Sequence, residues 1–298
     1  MEETMTEHTE RRDFLKMSAF GLAGGALLAG ATAIPTARQA AAQATPASKL
    51  REVLDRGHLI VGTGSTNAPW HFENEKAELV GMDIAMAQIL AQGLFDDATK
   101  IEFVRQDPAA RIPNVNTGKV DITIQFMTMS ANRAQLVNFS RPYYVEGVAL
   151  LTLPGADGKT FDQLTAAGGG ARVSILQNVD AEAGVHEVLP MSQVMQLDTQ
   201  ANVIQALESR RVDAAAVDLS TVRWMVAQAP NKYADSGKTW RSMLYGAAMR
   251  QGDLDWLTFV NTTFEIAMFG HVNEIFDKAF KEYFGETPTV RKTGFPAH

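Results

Sequence analysis

Residues 111–144 read RIPNVNTGKVDITIQFMTMSANRAQLVNFSRPYY. Within them Val120-Asp121-Ile122-Thr123-Ile124 is apolar and β-branched and follows the turn Asn116-Thr117-Gly118-Lys119, the composition of a buried strand entered from a tight turn. Behind it stand Gln125-Phe126-Met127-Thr128-Met129-Ser130, then Ala131-Asn132-Arg133. Ser130 is placed to cap a short helix, which leaves free N–H groups there. Free N–H groups, the Thr128 hydroxyl and the Arg133 guanidinium converging at one strand end make a carboxylate receptor. Arg133 is therefore the first candidate for ligand contact.

Outward from this stretch, strand and helix patterns alternate. Leu59 to Thr63 is a buried strand leading into the loop Gly64-Ser65-Thr66-Asn67-Ala68-Pro69-Trp70. Ile84 to Gly93 has helical periodicity, Ile101 to Val104 is a strand and Ala109 to Asn116 a helix. A second series starts with Arg172 to Leu176 and continues through Ala181 to Leu189, Gln193 to Leu197, Thr199 to Ser209 and Ala214 to Val217, ending at Asp218. Gly147 to Leu153 is extended, Lys159 to Leu164 a short helix, and Leu254 to Phe269 and Val272 to Phe284 are closing helices. Alternating βα units predict an α/β fold with mostly parallel sheets covered by helices on both faces. Ligands on such sheets sit beyond the carboxyl ends of the strands, where the 64–70 and 125–133 loops fall.

The chain carries 27 Lys and Arg against 34 Asp and Glu, a net charge of −7, with no basic cluster to attract nucleic acid. The opening Arg11-Arg12-Asp13-Phe14-Leu15-Lys16, an uncharged Gly/Ala-rich run from Ser18 to Pro35 and small-x-small patterns around Ala40–Ala44 predict a twin-arginine export signal over residues 1–44, removed on export. With no cysteine anywhere, neither a lipid-anchored form nor a disulfide is expected. His58, His71, His186, His271 and His298 have no metal-ligand spacing, and no nucleophile elbow, P-loop or dinucleotide fingerprint occurs. No cofactor is expected.

Ile112-Pro113, Gly118-Lys119-Val120-Asp121, Thr128 to Arg133 and Phe139-Ser140-Arg141-Pro142-Tyr143-Tyr144, in this order, resemble the signature of the polar amino-acid-binding family of bacterial solute-binding proteins, the receptors of ABC importers. The resemblance runs from about residue 50 to about residue 286. It implies a two-lobed periplasmic-binding-protein fold of type II, the Venus-flytrap form, with two hinge crossings. These would lie near Tyr144 to Gly147 and Tyr245 to Ala248. Lobe one would be residues 46–144 plus 246–298, and lobe two residues 145–245. A hinge motion would close the cleft on its ligand.

An α-amino acid needs a cationic fork with N–H donors for its carboxylate and a fixed acid for its ammonium. The resemblance assigns the first to Arg133 and Thr128, the second to Asp218 with a backbone carbonyl near Phe126. Trp70 and Phe126 would be aromatic walls. Arg111 would reach a side-chain carboxylate, and Tyr143 and Tyr144 would pack at the hinge. Gly64 stands where basic-amino-acid receptors carry an acid, which disfavours lysine or arginine. Asn178-Val179-Asp180 replaces the usual hydroxyl-rich loop, so Asp180 either meets the ligand or caps the helix from Ala181. The implied function is a non-enzymatic, monomeric periplasmic receptor delivering an amino acid or related amine to a membrane permease. The alternative is a periplasmic dehydratase of the prephenate or arogenate type, which would need a general acid of raised pKa in the cleft.

Overall fold

Short capped helices and apolar strands follow one another from Ser48 onwards in a computed structural model that describes residues 48–155, 158–178, 180–270 and 273–285. The predicted export signal, Val179, His271 and His298 lie outside the described residues. In chain order the elements are α1 (Lys49–Arg56), β1 (Leu59–Thr63), β2 (Thr66–Asn67), β3 (His71–Glu73), β4 (Leu79–Val80), α2 (Met82–Phe95), β5 (Ile101–Arg105), α3 (Arg111–Asn116), β6 (Ile122–Thr123), α4 (Ala131–Ala134), β7 (Asn138–Phe139) and β8 (Tyr144–Thr152). They continue with α5 (Phe161–Ala167), β9 (Arg172–Leu176), α6 (Ala181–His186), β10 (Gln193–Leu197), α7 (Gln200–Glu208), β11 (Ala214–Asp218), α8 (Leu219–Gln228), β12 (Ala234–Tyr245), β13 (Ala248–Met249), α9 (Leu254–Glu265) and α10 (Glu274–Phe284).

Two five-stranded sheets result, in the orders β5-β1-β6-β13-β7 and β10-β9-β11-β8-β12. In each, three parallel strands from βα units are extended by two antiparallel ones. The sheets are thus less parallel than the βα alternation predicts. β13 and β7, and likewise β8 and β12, are where the chain crosses between sheets, and neighbouring crossings run in opposite directions. Pairing around β6 continues past its two ladder residues, with Asp121 N–H on Ile60 O at 2.9 Å and Ile124 N–H on Gly62 O at 3.0 Å. β12 has no apolar run to mark it in the sequence. It is an edge strand rich in charged and hydroxyl side chains, with two register shifts against β8.

The crossings lie side by side. Tyr144 pairs with Tyr245, Ser140 N–H donates to Ala247 O at 2.8 Å, and Ala247 N–H donates to the Ser140 hydroxyl at 2.9 Å. The largest core packs α2, α9 and α10 on the first sheet, and further clusters cover its other face and both faces of the second. Full burial of a side chain such as Met86, Leu90 or Phe264 contributes about 1.5–3 kcal/mol. α2 starts at Gly81, with φ 127°, where a Cβ would stand 2.2 Å from Trp70 O. Only glycine lets the 66–71 loop seat on this helix start, where Asp83 N–H donates to Trp70 O at 2.9 Å. No helix among the described residues is long and apolar enough to cross a membrane.

Candidate functional site

Behind β6 the chain turns sharply at Phe126, whose φ of 35° is in the left-handed region. Ser130 then caps α4, its hydroxyl accepting from Arg133 N–H at 3.3 Å. This brings the Arg133 side chain back over the turn, where Nη1 donates to Thr128 O at 2.8 Å. Arg111, at the start of α3, is buried beneath it. Its Nε donates to Pro108 O at 2.9 Å, its Nη1 to Gln125 O at 3.1 Å, and its guanidinium lies 5.7 Å from the Phe126 ring centre. Burial pulls the Arg111 pKa down to about 10, with repulsion from Arg133 adding to it. Burial also lowers Arg133, while Asp180 and Tyr245 act in the opposite direction. Both guanidiniums remain charged at neutral pH, and together they form an anion-attracting floor.

From the second sheet, β11 ends at Asp218 and α6 begins after Asp180. Neither carboxylate makes a side-chain cap on the helix that follows it. Asp218 instead lies beside the Tyr245 side chain, which acts to lower its pKa. Burial of its carboxyl, reinforced by the nearby Glu146 charge, holds Asp218 well above the usual carboxylate range. Asp180 is exposed and its charge acts on both Arg133 and Arg241. Arg241 is itself gripped by Glu187 through two hydrogen bonds. The negative charge of Asp180 is thus offset by the arginines around it.

Arg111, Phe126, Thr128, Arg133, Asp180 and Asp218 line one cavity of about 170 Å3. Trp70 does not line it. Its side chain is fully buried, packed on Tyr143, Tyr144, Tyr245 and Phe284, with the indole N–H spent on Ser220 Oγ at 2.9 Å. The expected aromatic wall at Trp70 is therefore a core contact, because the loop seated on Gly81 carries the ring in among Tyr144, Tyr245 and Phe284. The carbonyl before Phe126, Gln125 O, is taken by Arg111. Tyr143 donates to Asp83 Oδ1 at 2.9 Å, and Tyr144 stacks on Phe284.

A second cavity of about 200 Å3 adjoins the first, sharing Pro108, Phe126, Leu176 and Gln200. Gly64, His71, Gln106 and Gln125 line it. Nothing in the sequence marks His71 as a site residue, because a single histidine next to a loop carries no spacing signal. Glu146 was missed too, although a lone acid in the apolar run Val145–Leu151 is a cue. It is buried, accepting from Ser220 N–H, Gly147 N–H and the Ser220 hydroxyl. Arg241 has no comparable cue. No group of three or more side chains able to hold a metal ion occurs among the described residues.

The sequence profile of the bacterial extracellular solute-binding proteins, family 3, matches residues 59–284. The ABC transporter glutamine-binding protein GlnH of Bacillus subtilis is 25% identical over 235 residues, covering 78% of this chain and 85% of that protein. The L-cystine-binding protein TcyJ of Escherichia coli K12 is 28% identical over 214 residues, 71% of this chain and 78% of that one. Among solved structures, the ancestral amino acid-binding protein AncCDT-1, described as a precursor of cyclohexadienyl dehydratase, superposes with a TM-score of 0.68 at 29% identity, covering 80% of this chain and all of that one.

Proposed function

The chain belongs to the bacterial extracellular solute-binding proteins, family 3, and from that premise we propose that it is the periplasmic binding component of an ABC importer whose ligand is an α-amino acid. The observation that carries this proposal is that Arg133 and Asp218 line one cavity. Arg133, supported by Arg111, takes the ligand carboxylate as a charge-assisted fork. Asp218 takes the ammonium, and Phe126 covers the ligand's apolar atoms. The charges come from different lobes, residues 46–144 plus 246–298 and residues 145–245, so a zwitterion of the right length draws the lobes together about the paired crossings. The closed form is what a permease would recognise. A thermal-shift screen of the purified protein against all amino acids, small amines and dicarboxylates tests it. One or a few amino acids should raise the melting temperature; a flat response to every one of them defeats the proposal.

One observation favours a second function, a dehydratase acting on prephenate or arogenate. The raised pKa of Asp218 is what a general acid in this cavity would need. The named relatives above are binding proteins, and an ammonium would restore the ionised form of Asp218. Incubation with either acid, followed by assay for the aromatic product, separates the two, since turnover would overturn the receptor assignment.

A further inference from the structure

His71 Nε2 is buried and has no hydrogen-bond partner among the described residues. Buried polar atoms are nearly always paired, so this one stands out. Its ring is held from the other side, with Nδ1 2.7 Å from Asp83 Oδ2. Asp83 is buried as well and takes two further donors, Phe126 N–H at 2.9 Å and the Tyr143 hydroxyl at 2.9 Å. A carboxylate only accepts, which places a ring proton on Nδ1; in the neutral imidazole Nε2 then offers a lone pair. The ring also lies 4.8 Å from the Phe126 ring, so its orientation is fixed by packing and hydrogen bonding together.

Gly64 leaves the space beside buried Nε2 free of a side chain. A Cβ there would stand 2.8 Å from Nε2 and 2.7 Å from Cδ2 of His71. The polar group that a side chain at the end of β1 would have supplied is supplied here from β3 instead. Other polar groups of this cavity are already engaged. Gln106 Nε2 donates to Gln125 Oε1 at 3.1 Å, Gln125 Nε2 to Gln106 O at 3.1 Å, and Arg105 is held by Glu73 at 2.6 Å.

We propose that His71 is the specificity-determining residue of this receptor, Nε2 accepting a hydrogen bond from the ligand's side chain while Asp83 positions the ring. This rests on the amino-acid assignment above. With the α-ammonium and α-carboxylate held at Asp218 and Arg133, the side chain passes Phe126 into the second cavity and presents an N–H or O–H to Nε2. The ligand class is an amino acid with an uncharged donor at the end of its side chain, a carboxamide or a hydroxyl. A side-chain carboxylate meets a lone pair instead of a donor, and an apolar side chain leaves Nε2 unpaired.

Titration calorimetry with L-glutamine, L-homoserine, L-methionine, L-glutamate and L-arginine tests this. Glutamine or homoserine should bind at least 10-fold more tightly than methionine, glutamate or arginine, and His71→Phe should collapse the preference over methionine at least 10-fold. A parent protein that prefers glutamate, arginine or methionine overturns the proposal, as does a variant that keeps the preference. Should His71→Phe fail to fold, the parent labelled with 15N provides the readout. The His71 Nε2 resonance should shift on adding the tightest binder of the panel, and a resonance that stays in place overturns the proposal. Amino-acid binding with a silent His71 removes this assignment alone, whereas no binding by any amino acid removes the receptor assignment and this one with it.

Discussion

The indole N–H of Trp70 donates to the hydroxyl of Ser220 at 2.9 Å, joining the loop behind β1 to the first turn of α8. Ser220 passes the bond on to Glu146 Oε2 at 2.5 Å, and Thr221 Oγ1 donates to Ala68 O at 3.1 Å beside it. A loop beside the first sheet is thereby tied to a helix of the second at the crossing strand β8. Trp70→Phe removes one donor from this buried chain and should cost about 1–2 kcal/mol, lowering the melting temperature by about 2–4 °C per kcal/mol. Because the ring does not line the ligand cavity, affinity should change by no more than about 3-fold. A loss beyond 10-fold, measured by calorimetry, would return Trp70 to the ligand wall.

Arg133 and Arg111 should separate by phenotype. Arg133 is half-exposed and anchored by one bond to Thr128 O. Arg133→Ala should leave the protein folded and weaken amino-acid binding by about 2–5 kcal/mol, from roughly 30-fold to several thousand-fold. Arg111 is buried and satisfies two carbonyls. Arg111→Ala should therefore destabilise the fold even without ligand, by about 2 kcal/mol or more, and lower its melting temperature, as those carbonyls lose their donors. Equal melting temperatures for the two variants would contradict this division.

Ligand affinity should depend on pH through Asp218. Burial, then the charge of Glu146, raises its pKa in the free protein, and an ammonium binds only the ionised form. Binding therefore releases a proton in the window above the ordinary carboxylate pKa, and affinity falls as pH is lowered through the raised value. The stability sign is the reverse of a salt-bridged acid's. A pKa raised on folding weakens the fold as pH climbs from the unfolded pKa to the folded one. Asp218→Asn should consequently raise the melting temperature at neutral pH without ligand, flatten the pH dependence and abolish binding of amines. Calorimetry in buffers of different ionisation enthalpy counts the protons, and a count of zero across pH 4 to 8 would refute the linkage.

Phe126 holds φ at 35°, which costs about 1–2 kcal/mol for a side chain with a Cβ. Alanine normally exceeds glycine by about 0.5–1 kcal/mol in stability. At this turn the order should invert, with Phe126→Gly at least as stable as Phe126→Ala in urea titration. Both variants should lose affinity with the ring. The usual order of alanine over glycine would show that the turn is not strained.

The elements that could be read from the chain are those whose signal is local. β1, β9 and β11 are short apolar runs, and α4 is set by a Ser130 cap three residues from Arg133. β12 was not legible because an exposed edge strand needs no apolar face. Of the seven nominated residues, Trp70 was misplaced and six share a cavity, while His71, Glu146 and Arg241 were not nominated. A buried histidine is recognisable only once its neighbours are known.

The sequence by itself determined the α/β class, the family signature over residues 111–144 and the positions of Arg133 and Thr128 relative to each other. Hydrogen bonds within a few residues and the side-chain period of strands and helices suffice for these. Only the tertiary structure decided that Asp218 and Arg133 line one cavity, that Asp180 acts on two arginines, that Trp70 turns into the core and that a buried His71 Nε2 stands unpaired beside Gly64. Those relations join segments far apart in sequence. Burial, charge and the space left by a missing Cβ depend on which distant atoms arrive, and no local pattern records that.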